Sequence, residues 1–347
     1  MRATEPRELA LSDFDYDLPE QHIAQEPLEE RGASRLLVLE RSTGLTGHRS
    51  FADLPSLLRP GDLLVLNDTK VIPCRLPARK QGGGKAEIFL IREESLNRWS
   101  ALIRGASGKG KRLSVGSGIE AEIAAEGPDG TRVVRFHGVP DIRAALESLG
   151  RTPLPPYIRR PADERDRERY QTVYAAREGA VAAPTEGLHF TGGMLETLRR
   201  GGIEIASVTL HVGPGTFLPV RSENLREHRM HAEPYTVSEA AARSIGRARA
   251  EGRRVIAVGT TSVRALESAA DADGNVRAGA GETTLFILPG HPFKVVVGMI
   301  TNFHLPGSTL LMLVAAFAGR ERVLAAYREA VERGYRFYSY GDAMLIA

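Results

Sequence analysis

The chain has 347 residues, a single cysteine, and 46 basic against 43 acidic residues, for a formal net charge of +3. At roughly 100–200 residues per domain, this length predicts two domains that each bury a core. The lone Cys74 excludes a disulfide framework and any cysteine-based zinc or iron–sulfur site. No apolar run approaches the roughly 18 residues that cross a bilayer, and the acidic N-terminus lacks the apolar stretch of a secretory signal. We therefore expect a cytoplasmic enzyme with no membrane partner.

The basic residues are mostly arginines. Only six of the 46 are lysines, which leaves 40 arginines. Arginine suits RNA, because its guanidinium binds phosphate through two parallel hydrogen bonds and stacks on bases. A coding bias toward arginine over a solvated surface explains the same count. The small net charge by itself favours that second explanation.

Short strands dominate the chain from residue 62 to residue 137. The apolar stretches LLVLND, VIPCRL, AEIFLI, WSALIR, RLSV, IEAEIAA and RVVRFH are separated by glycine-rich turns about 8–12 residues apart. This spacing predicts a small antiparallel sheet or barrel. A helix is predicted over 141–149, with Asp141 as its N-cap and Gly150 after its end. A proline-stiffened linker and a charged helix follow it.

The chain beyond residue 187 alternates strands with amphipathic helices. The predicted strands are IEIASVTLHV, RRVIAVG, TTLFIL and VVVGMITNF, and helices are predicted from residue 238 to about 251, at SVRALESAA, at STLLMLVAAFAG and at ERVLAAYREAVERG. Nearly continuous apolar strands between helices predict an α/β domain with a mainly parallel sheet and helices on both faces. The first 55 residues, with a helical signal at 19–25 and a strand signal at 34–40, are assigned to the same domain. We therefore predict a discontinuous α/β domain, 1–58 and 153–347, with a small antiparallel β-barrel domain inserted at 59–152.

Candidate site residues follow the predicted strands, because ligands of α/β sheets bind at the carboxyl ends of strands. One loop, after strand IEIASVTLHV, contains His211, Gly213, Gly215 and Thr216. Another, 259–262, joins a strand to a helix that carries Arg264, which is an arrangement suited to an anion or carboxylate. A simple turn with a helix N-cap explains either loop equally well.

Four further clusters combine polar groups with aromatic or glycine residues. They are Thr301, Asn302 and His304 at a strand end; Glu186 and His189 in PTEGLHF; His228, His231 and Glu233; and the segment 335–342, with Tyr338 and Asp342. The last alternates aromatic and polar residues, which predicts a strand that offers stacking rings or is simply a half-buried edge.

A metal site at His228 and His231 is an alternative use of the histidines. The spacing His-x-x-His occurs in zinc and iron sites, and His189, His211 or His304 could complete a ligand set. The spacing is unspecific, however, and no HExxH or paired-carboxylate pattern accompanies it. We therefore predict no metal and favour acid–base or hydrogen-bonding roles for these histidines.

Long motifs in chain order resemble the S-adenosylmethionine:tRNA ribosyltransferase-isomerase family of queuosine biosynthesis. They are DFDYDLPEQHIAQEPLEERGASRLLVL, GDLLVLNDTKVIPCRL, DRERYQTVYA, VAAPTEGLHFT, VTLHVGPGTFLPV, HRMHAEPYTV, VIAVGTTSVRALES, GMITNFHLPGSTLLMLVAAFAG and YRFYSYGDAMLI. The resemblance covers nearly the whole chain. It predicts Asp in place of Gly32, Ala in place of Glu186, Leu or Ala in place of Pro214 and a larger residue in place of Gly307. Since Glu186 departs from the family pattern, no catalytic role is carried over to it.

The resemblance implies an α/β fold with an inserted β-barrel and a reaction on tRNA. In that reaction, the ribosyl part of S-adenosylmethionine is transferred to the aminomethyl group of 7-aminomethyl-7-deazaguanine in an anticodon. Epoxyqueuosine forms, and adenine and methionine are released. S-adenosylmethionine is thus a substrate, no separate cofactor is implied, tRNA is the partner, and we expect a monomer. With a tRNA substrate implied, we expect some of the arginines to contact phosphate.

The chemistry needs a base for the 5′ C–H beside the sulfonium and a proton donor for the departing adenine. The predicted catalytic residues are His189, His211, His231 and His304. His228 is a further candidate, and the base and the acid are not distinguished. The predicted substrate-binding residues are Gly213, Gly215, Thr216, Gly259, Thr260, Thr261, Ser262, Arg264, Thr301, Asn302, Tyr338, Asp342 and Arg75. Asn67 and Asp68, like Arg75, are candidates to face the anticodon.

Three other functions remain open from the residues alone. A class I methyltransferase needs a GxGxG loop and an acidic ribose partner, and neither is seen. A metal-dependent hydrolase would use the histidine cluster and would be detected by elemental analysis. A noncatalytic RNA-binding module would release no adenine from S-adenosylmethionine and tRNA.

Overall fold

The computed structural model describes residues 9–213, 215 and 223–347, and that part of the chain forms one large sheet, one barrel and a two-stranded sheet. The strands are β1 Arg35–Leu39, β2 Thr46–Ser50, β3 Leu63–Asn67, β4 Thr69–Val71, β5 Arg75–Lys80, β6 Lys85–Ser95, β7 Arg98–Arg104, β8 Arg112–Gly116, β9 Ile119–Glu126, β10 Arg132–His137, β11 Arg177–Ala180, β12 Glu204–Leu210, β13 Glu233–Val237, β14 Val255–Val258, β15 Gly279–Thr283, β16 Gly298–Asn302 and β17 Ala343–Ile346. The α-helices are α1 Leu54–Leu57, α2 Ile142–Leu149, α3 Glu164–Arg169, α4 Gly192–Arg200, α5 Glu239–Ala250, α6 Thr260–Ala269, α7 Thr309–Ala318 and α8 Arg320–Glu332.

The large sheet is mixed, which corrects the prediction of a mainly parallel sheet. Its strand order is β15-β13-β12-β3-β14-β16-β17-β1-β2. The neighbours from β12 to β16 are parallel, as are β17 and β1, whereas the remaining four pairs are antiparallel. The prediction was wrong because apolar strands between helices indicate burial on both faces but do not report the direction of each neighbour.

Helices cover both faces of this sheet, as predicted. Side chains along β3 alternate between two cores, because successive side chains of a strand point to opposite faces. Leu63 and Val65 pack in the core that includes residues of α5, α6, α7 and α8. Leu64 and Leu66 pack in the core that includes residues of α1 and α4. Both faces of β3 are therefore buried.

The predicted barrel is present as a closed ring of six antiparallel strands, β10-β7-β6-β5-β8-β9. Its interior is apolar and includes Trp99, Ile88 and Leu76. The stretch LLVLND, which the sequence groups with these strands, forms β3 near the centre of the large sheet instead. The division of the chain at residues 59 and 152 stays a prediction.

The predicted helices lie close to their expected positions, and α2 begins after the N-cap Asp141, whose carboxylate accepts from the N–H of Arg143.

Two strand predictions were wrong. Of the segment TTLFIL, only its first residue, Thr283, belongs to a strand, because Leu285, Phe286 and Leu288 pack against the core of the sheet instead. The segment 335–342 forms bends and turns, in which hydrogen bonds to Asp342 hold the backbone.

None of the helices in 9–213, 215 and 223–347 combines the length and the apolar character that a bilayer span needs.

Candidate functional site

A cleft with a cavity volume of about 60 Å³ lies where three adjacent parallel strands of the large sheet, β3, β14 and β16, end. It is lined by Tyr157, Ala182, Ala183, Thr185, Glu186, Val212, Thr260, Thr261, Asn302, Phe303, His304, Leu305, Ser308, Leu310, Tyr338 and Ser339. Thr260, Thr261 and Asn302 thus line one cleft, because carboxyl ends of parallel strands meet at one edge of a sheet.

The carboxylate of Glu186 occupies the anion-binding loop that the sequence predicts at 259–262, which we call the cradle. Its carboxylate accepts from the N–H of Thr260 at 3.3 Å and from the Thr260 hydroxyl at 3.4 Å, at the N-terminus of α6. Gly259 has a φ of +91°, and a Cβ there would lie 2.9 Å from Glu186 Oε2. Glycine is thus required for both the turn and the close approach of the carboxylate. The helix N-terminus favours the charged carboxylate, whereas burial raises its pKa.

His304 is the buried imidazole that lines the cleft beside Glu186. Its Nε2 lies 4.0 Å from Glu186 Oε1, and its Nδ1 lies 3.3 Å from the Tyr327 hydroxyl. The backbone is held as well, since the Tyr16 hydroxyl donates to His304 O at 2.5 Å. Burial lowers the pKa of His304 to about 3, because the protonated ring loses its hydration. His304 is therefore a neutral imidazole at neutral pH, with Nε2 hydrogen-bonded to none of the described residues.

His189 has both ring nitrogens engaged. Its Nε2 lies 3.1 Å from Asn302 Oδ1, and its Nδ1 lies 2.8 Å from Ser34 Oγ. The Nδ2 of Asn302 donates to Thr185 Oγ1 and to Tyr338 O, so the Asn302 oxygen faces the ring. We assign a neutral ring that donates from Nε2 and accepts from Ser34. His189 thus orients Asn302 in the cleft wall, and its own nitrogens are occupied.

Two tyrosines form an aromatic wall of the cleft. The rings of Tyr157 and Tyr338 lie 4.0 Å apart between centroids, and the Tyr157 hydroxyl lies 2.5 Å from Ser339 Oγ. Tyr338 has a φ of +73°, which is uncommon for a residue with a side chain. Such strain is held only where surrounding contacts enforce it, and here the backbone bonds to Asn302 and Phe303 do so. The wall offers aromatic surface to a flat ligand.

Asn67 connects β3 to the cleft through Thr261. Its Nδ2 donates to Thr261 Oγ1 and to Leu210 O, both at 3.0 Å. Its Oδ1 accepts from the N–H groups of Leu210 and Thr69. The side-chain amide of Asn67 therefore has all its hydrogen bonds within the protein. One of them positions the Thr261 hydroxyl in the cleft.

His211 is absent from the cleft lining and lies in a separate groove. Its Nδ1 is 2.8 Å from Thr69 Oγ1, and burial lowers its pKa. Asp68 lines the same groove and accepts from Thr209 Oγ1 at 2.6 Å. The candidates His211 and His304 thus belong to two different cavities.

Arg264 is bound inside the protein, where it pairs with Glu233. Both residues are 3% exposed, and Arg264 Nη1 donates to Glu233 Oε2. The other oxygen of Glu233 accepts from the N–H of Gly213 at 2.8 Å. The predicted counter-charge for a substrate carboxylate is therefore committed to holding the loop that begins at His211.

The remaining predicted substrate-binding residues are bonded within the protein or buried. Arg75 Nη1 donates to Glu87 at 2.8 Å, and Asp342 accepts from the N–H groups of Arg35 and Arg336. Ser262 Oγ donates to Val258 O, as a residue in the first turn of a helix can. Thr301 is buried, and its hydroxyl has no hydrogen-bond partner among the described residues.

His228 and His231, the pair considered as a metal site, do not line the cleft. His231 is exposed and lies near Gly215, where a Cβ would approach the His231 ring to 2.6 Å. The His228 ring contacts Phe286 at 5.0 Å between centroids. Thr216 lies outside the described residues. Within 9–213, 215 and 223–347, no three His, Cys, Asp or Glu side chains cluster as metal ligands.

Sequence reasoning missed Tyr157, Ser308, Tyr327 and Ser339. Tyr157 sits in the proline-rich stretch PLPPYIRR, which predicts only a linker. Tyr327 lies in the middle of α8, where an aromatic residue indicates core packing. Ser339 lies in the segment 335–342 that the sequence singles out. No local signal marks Tyr157 or Tyr327, because Tyr157 reaches the cleft and Tyr327 reaches His304 through contacts between distant segments.

Comparisons with known proteins identify a family for the whole chain. A family model described as "Queuosine biosynthesis protein" matches residues 11–346. A Syntrophotalea carbinolica protein named S-adenosylmethionine:tRNA ribosyltransferase-isomerase is 54% identical over 97% of this chain and 100% of its own length. A protein of the same name from Anaeromyxobacter sp. (strain Fw109-5) is 56% identical over 98% and 99% of the two chains. A crystal structure of S-adenosylmethionine tRNA ribosyltransferase from Thermotoga maritima aligns with a TM-score of 0.57 and 42% identity, covering 97% of this chain and 100% of that chain. The chain belongs to the queuosine biosynthesis protein family.

Proposed function

We propose that this chain is an S-adenosylmethionine:tRNA ribosyltransferase-isomerase. It transfers and isomerises the ribosyl part of S-adenosylmethionine onto the aminomethyl group of 7-aminomethyl-7-deazaguanine in a tRNA anticodon, and it releases adenine and methionine. The observation that carries the proposal is the 54% identity, over 97% of this chain, to a protein of that name. The cleft at the ends of β3, β14 and β16 supports it, because it combines an aromatic wall with a neutral imidazole and a carboxyl group.

The reaction balances because two protons are removed from the reactants and adenine takes up one of them. The 5′ C–H beside the sulfonium loses a proton to a base, and the neutral amine loses another as its nitrogen bonds to the sugar. The bond from the sugar to adenine breaks, and adenine takes up one proton. Closure of the epoxide expels methionine as a neutral thioether. One proton per turnover therefore passes to solvent.

We assign the proton taken from the 5′ carbon to His304. Its Nε2 is hydrogen-bonded to none of the described residues and belongs to a side chain that lines the cleft, so a C–H bond can approach it. Glu186, 4.0 Å away, stabilises the imidazolium that forms. The Thr260 and Thr261 hydroxyls, in the cleft wall at the start of α6, are available to ribose oxygens. The rings of Tyr157 and Tyr338 are available to stack on a base.

The test is to incubate the protein with S-adenosylmethionine and tRNA that carries the deazaguanine precursor. Free adenine is measured by chromatography, and the anticodon nucleoside is measured by mass spectrometry. We expect one adenine per epoxyqueuosine with the natural protein and a loss of at least 10²-fold in kcat for His304→Ala. His291→Ala, at a half-buried histidine outside the cleft, is the matched control and should keep natural turnover. No adenine from the natural protein would overturn the activity, whereas near-normal turnover by His304→Ala would overturn only the role of His304.

A further inference from the structure

One end of the barrel carries a concentration of positive charge that the cleft does not use. Four of the six lysines of the chain lie between residues 80 and 111. Together with two arginines they form a group that we call the lysine end of the barrel. Its members are Arg79, Lys80, Lys85, Arg104, Lys109 and Lys111, and all six are exposed.

Strand pairing brings these residues to the same end. Arg79 and Lys85 are opposite each other in the antiparallel pair of β5 and β6. Arg104 ends β7, where Gly105 lies so close to β6 that a Cβ would be 2.8 Å from Lys85 O. Residues 105–111 then lead into β8, and β8 pairs with the end of β5 that includes Lys80. The six cations therefore share one rim of the barrel.

The charges of the lysine end are not neutralised by carboxylates. None of its six side chains forms an ion pair with a described residue, whereas the nearby acidic residues have other cationic partners. Glu87 pairs with Arg75, and Glu120 pairs with Arg112. Arginines elsewhere are often committed, as Arg254 is to Asp62 and Arg160 to Asp166. The six cations of the lysine end are thus available to an anion, although the net charge of the chain is only +3.

The chemistry of this surface fits a polyanion backbone. Gly105, Gly108 and Gly110 alternate with the cations and have positive φ, so the loop backbone is open to close approach. The barrel aromatics cannot act as stacking platforms here, because Trp99 and Phe136 are buried in its interior and Phe89 lies under the Arg75 guanidinium. Lysines without exposed rings bind phosphates rather than bases.

We propose that the lysine end of the barrel binds the phosphate backbone of the tRNA stem while the anticodon nucleotide occupies the cleft. The inference rests on the proposed function, which supplies the RNA. β5 starts at Arg75, whose backbone pairs with Arg151 near the return to the α/β part, and it ends at the lysine end. Six residues of strand span roughly 20 Å. That separation lets the barrel hold the stem at a distance from the reacting base, since phosphate contacts position a nucleic acid without reading its sequence.

The test measures binding of a fluorescently labelled tRNA transcript at several salt concentrations. We compare the natural protein with Lys109→Gln/Lys111→Gln and with Lys80→Gln/Lys85→Gln. Each double variant should raise the Kd for tRNA at least tenfold at low salt. It should also make the slope of the logarithm of the association constant against the logarithm of the salt concentration shallower by about 1.4–1.8. This corresponds to about 0.7–0.9 for each of the two lost phosphate contacts. Lys294→Gln, at an exposed lysine outside the barrel, is the matched control and should leave both values unchanged.

Adenine release separates this inference from the proposed activity. In the double variants we expect KM for tRNA to rise while kcat at saturating tRNA stays natural, and thermal melts should match the natural protein because the six side chains are exposed. Natural KM, Kd and salt slope in both double variants would overturn the inference and leave the activity standing. Weakened tRNA binding by both variants, with no adenine from the natural protein, would support the lysine end and overturn the activity.

Discussion

Replacement of Glu186 by glutamine removes the carboxylate beside His304 at nearly constant shape. The amide oxygen of Glu186→Gln can still accept from the N–H of Thr260, so the start of α6 keeps its partner. What is lost is the negative charge 4.0 Å from His304 Nε2. Because burial lowers the pKa of His304 to about 3, an imidazolium in this cleft depends on a nearby counter-charge.

The size of the effect follows from Coulomb's law. At 4.0 Å and an effective dielectric constant of about 20, two unit charges attract by about 4 kcal/mol. Since about 1.4 kcal/mol corresponds to a factor of ten in rate, the full interaction is worth about 10³-fold. We expect kcat for adenine release to fall by about 10²–10³-fold in Glu186→Gln, because the charge on the imidazole is only partly developed in the transition state.

The dependence on pH gives the sharper test. Burial raises the pKa of Glu186, and the attraction exists only where this carboxyl group is ionised. The deficit of Glu186→Gln should therefore be largest above that raised pKa and should shrink as the pH falls through it. The buried groups facing Glu186 are His304 and the phenols of Tyr170, Tyr174 and Tyr327, and these phenols stay neutral across this range because burial raises their pKa. Equal kcat–pH profiles for Glu186→Gln and the natural protein, at saturating tRNA and S-adenosylmethionine, would refute the reasoning.

Two further predictions concern buried groups. Arg264→Met leaves the Glu233 carboxylate without its guanidinium partner in a site that is 3% exposed, so we expect a loss of about 3–5 kcal/mol in the free energy of unfolding. Urea titration followed by fluorescence measures it. The comparison is Arg243→Met, which removes an ion pair with Glu239 whose side chains are 70% and 83% exposed, and equal losses in the two variants would contradict the prediction. Cys74 is fully buried and burial raises the pKa of its thiol, so Ellman's reagent should react with it only after denaturation. Rapid reaction of the native protein would show that the barrel core opens.

The candidate cleft could be located from the sequence because its residues follow strand ends. Thr260, Thr261, Asn302 and His304 come directly after apolar strands, and the carboxyl ends of parallel strands meet at one edge. The role of the cradle at 259–262 was not predictable in the same way. The sequence indicates a place for an anion, but only the packing of the turn 184–190 against α6 puts Glu186 there.

Other candidates were separated by contacts that no local pattern reports. Arg264 and Glu233 are 31 residues apart and form a buried pair, which removes Arg264 from the set of free cations. His211 and His304 both follow apolar strands, yet they line different cavities. A hydrogen-bonding group is satisfied by whichever partner the fold brings near it, so its availability to a substrate is a property of the whole structure.

The amino-acid sequence by itself determined the helices, the closed barrel and the edge at which the cleft lies, because hydrophobic periodicity and turn residues act over short distances along the chain. Only the tertiary structure decided that the large sheet is mixed and that the Glu186 carboxylate occupies the site at 259–262. It also decided that the lysines of the β5–β6 hairpin and of the loop from β7 to β8 share one rim of the barrel. Strand direction, buried pairing and surface charge arise from residues far apart in sequence, whose contacts exist only once the chain has folded.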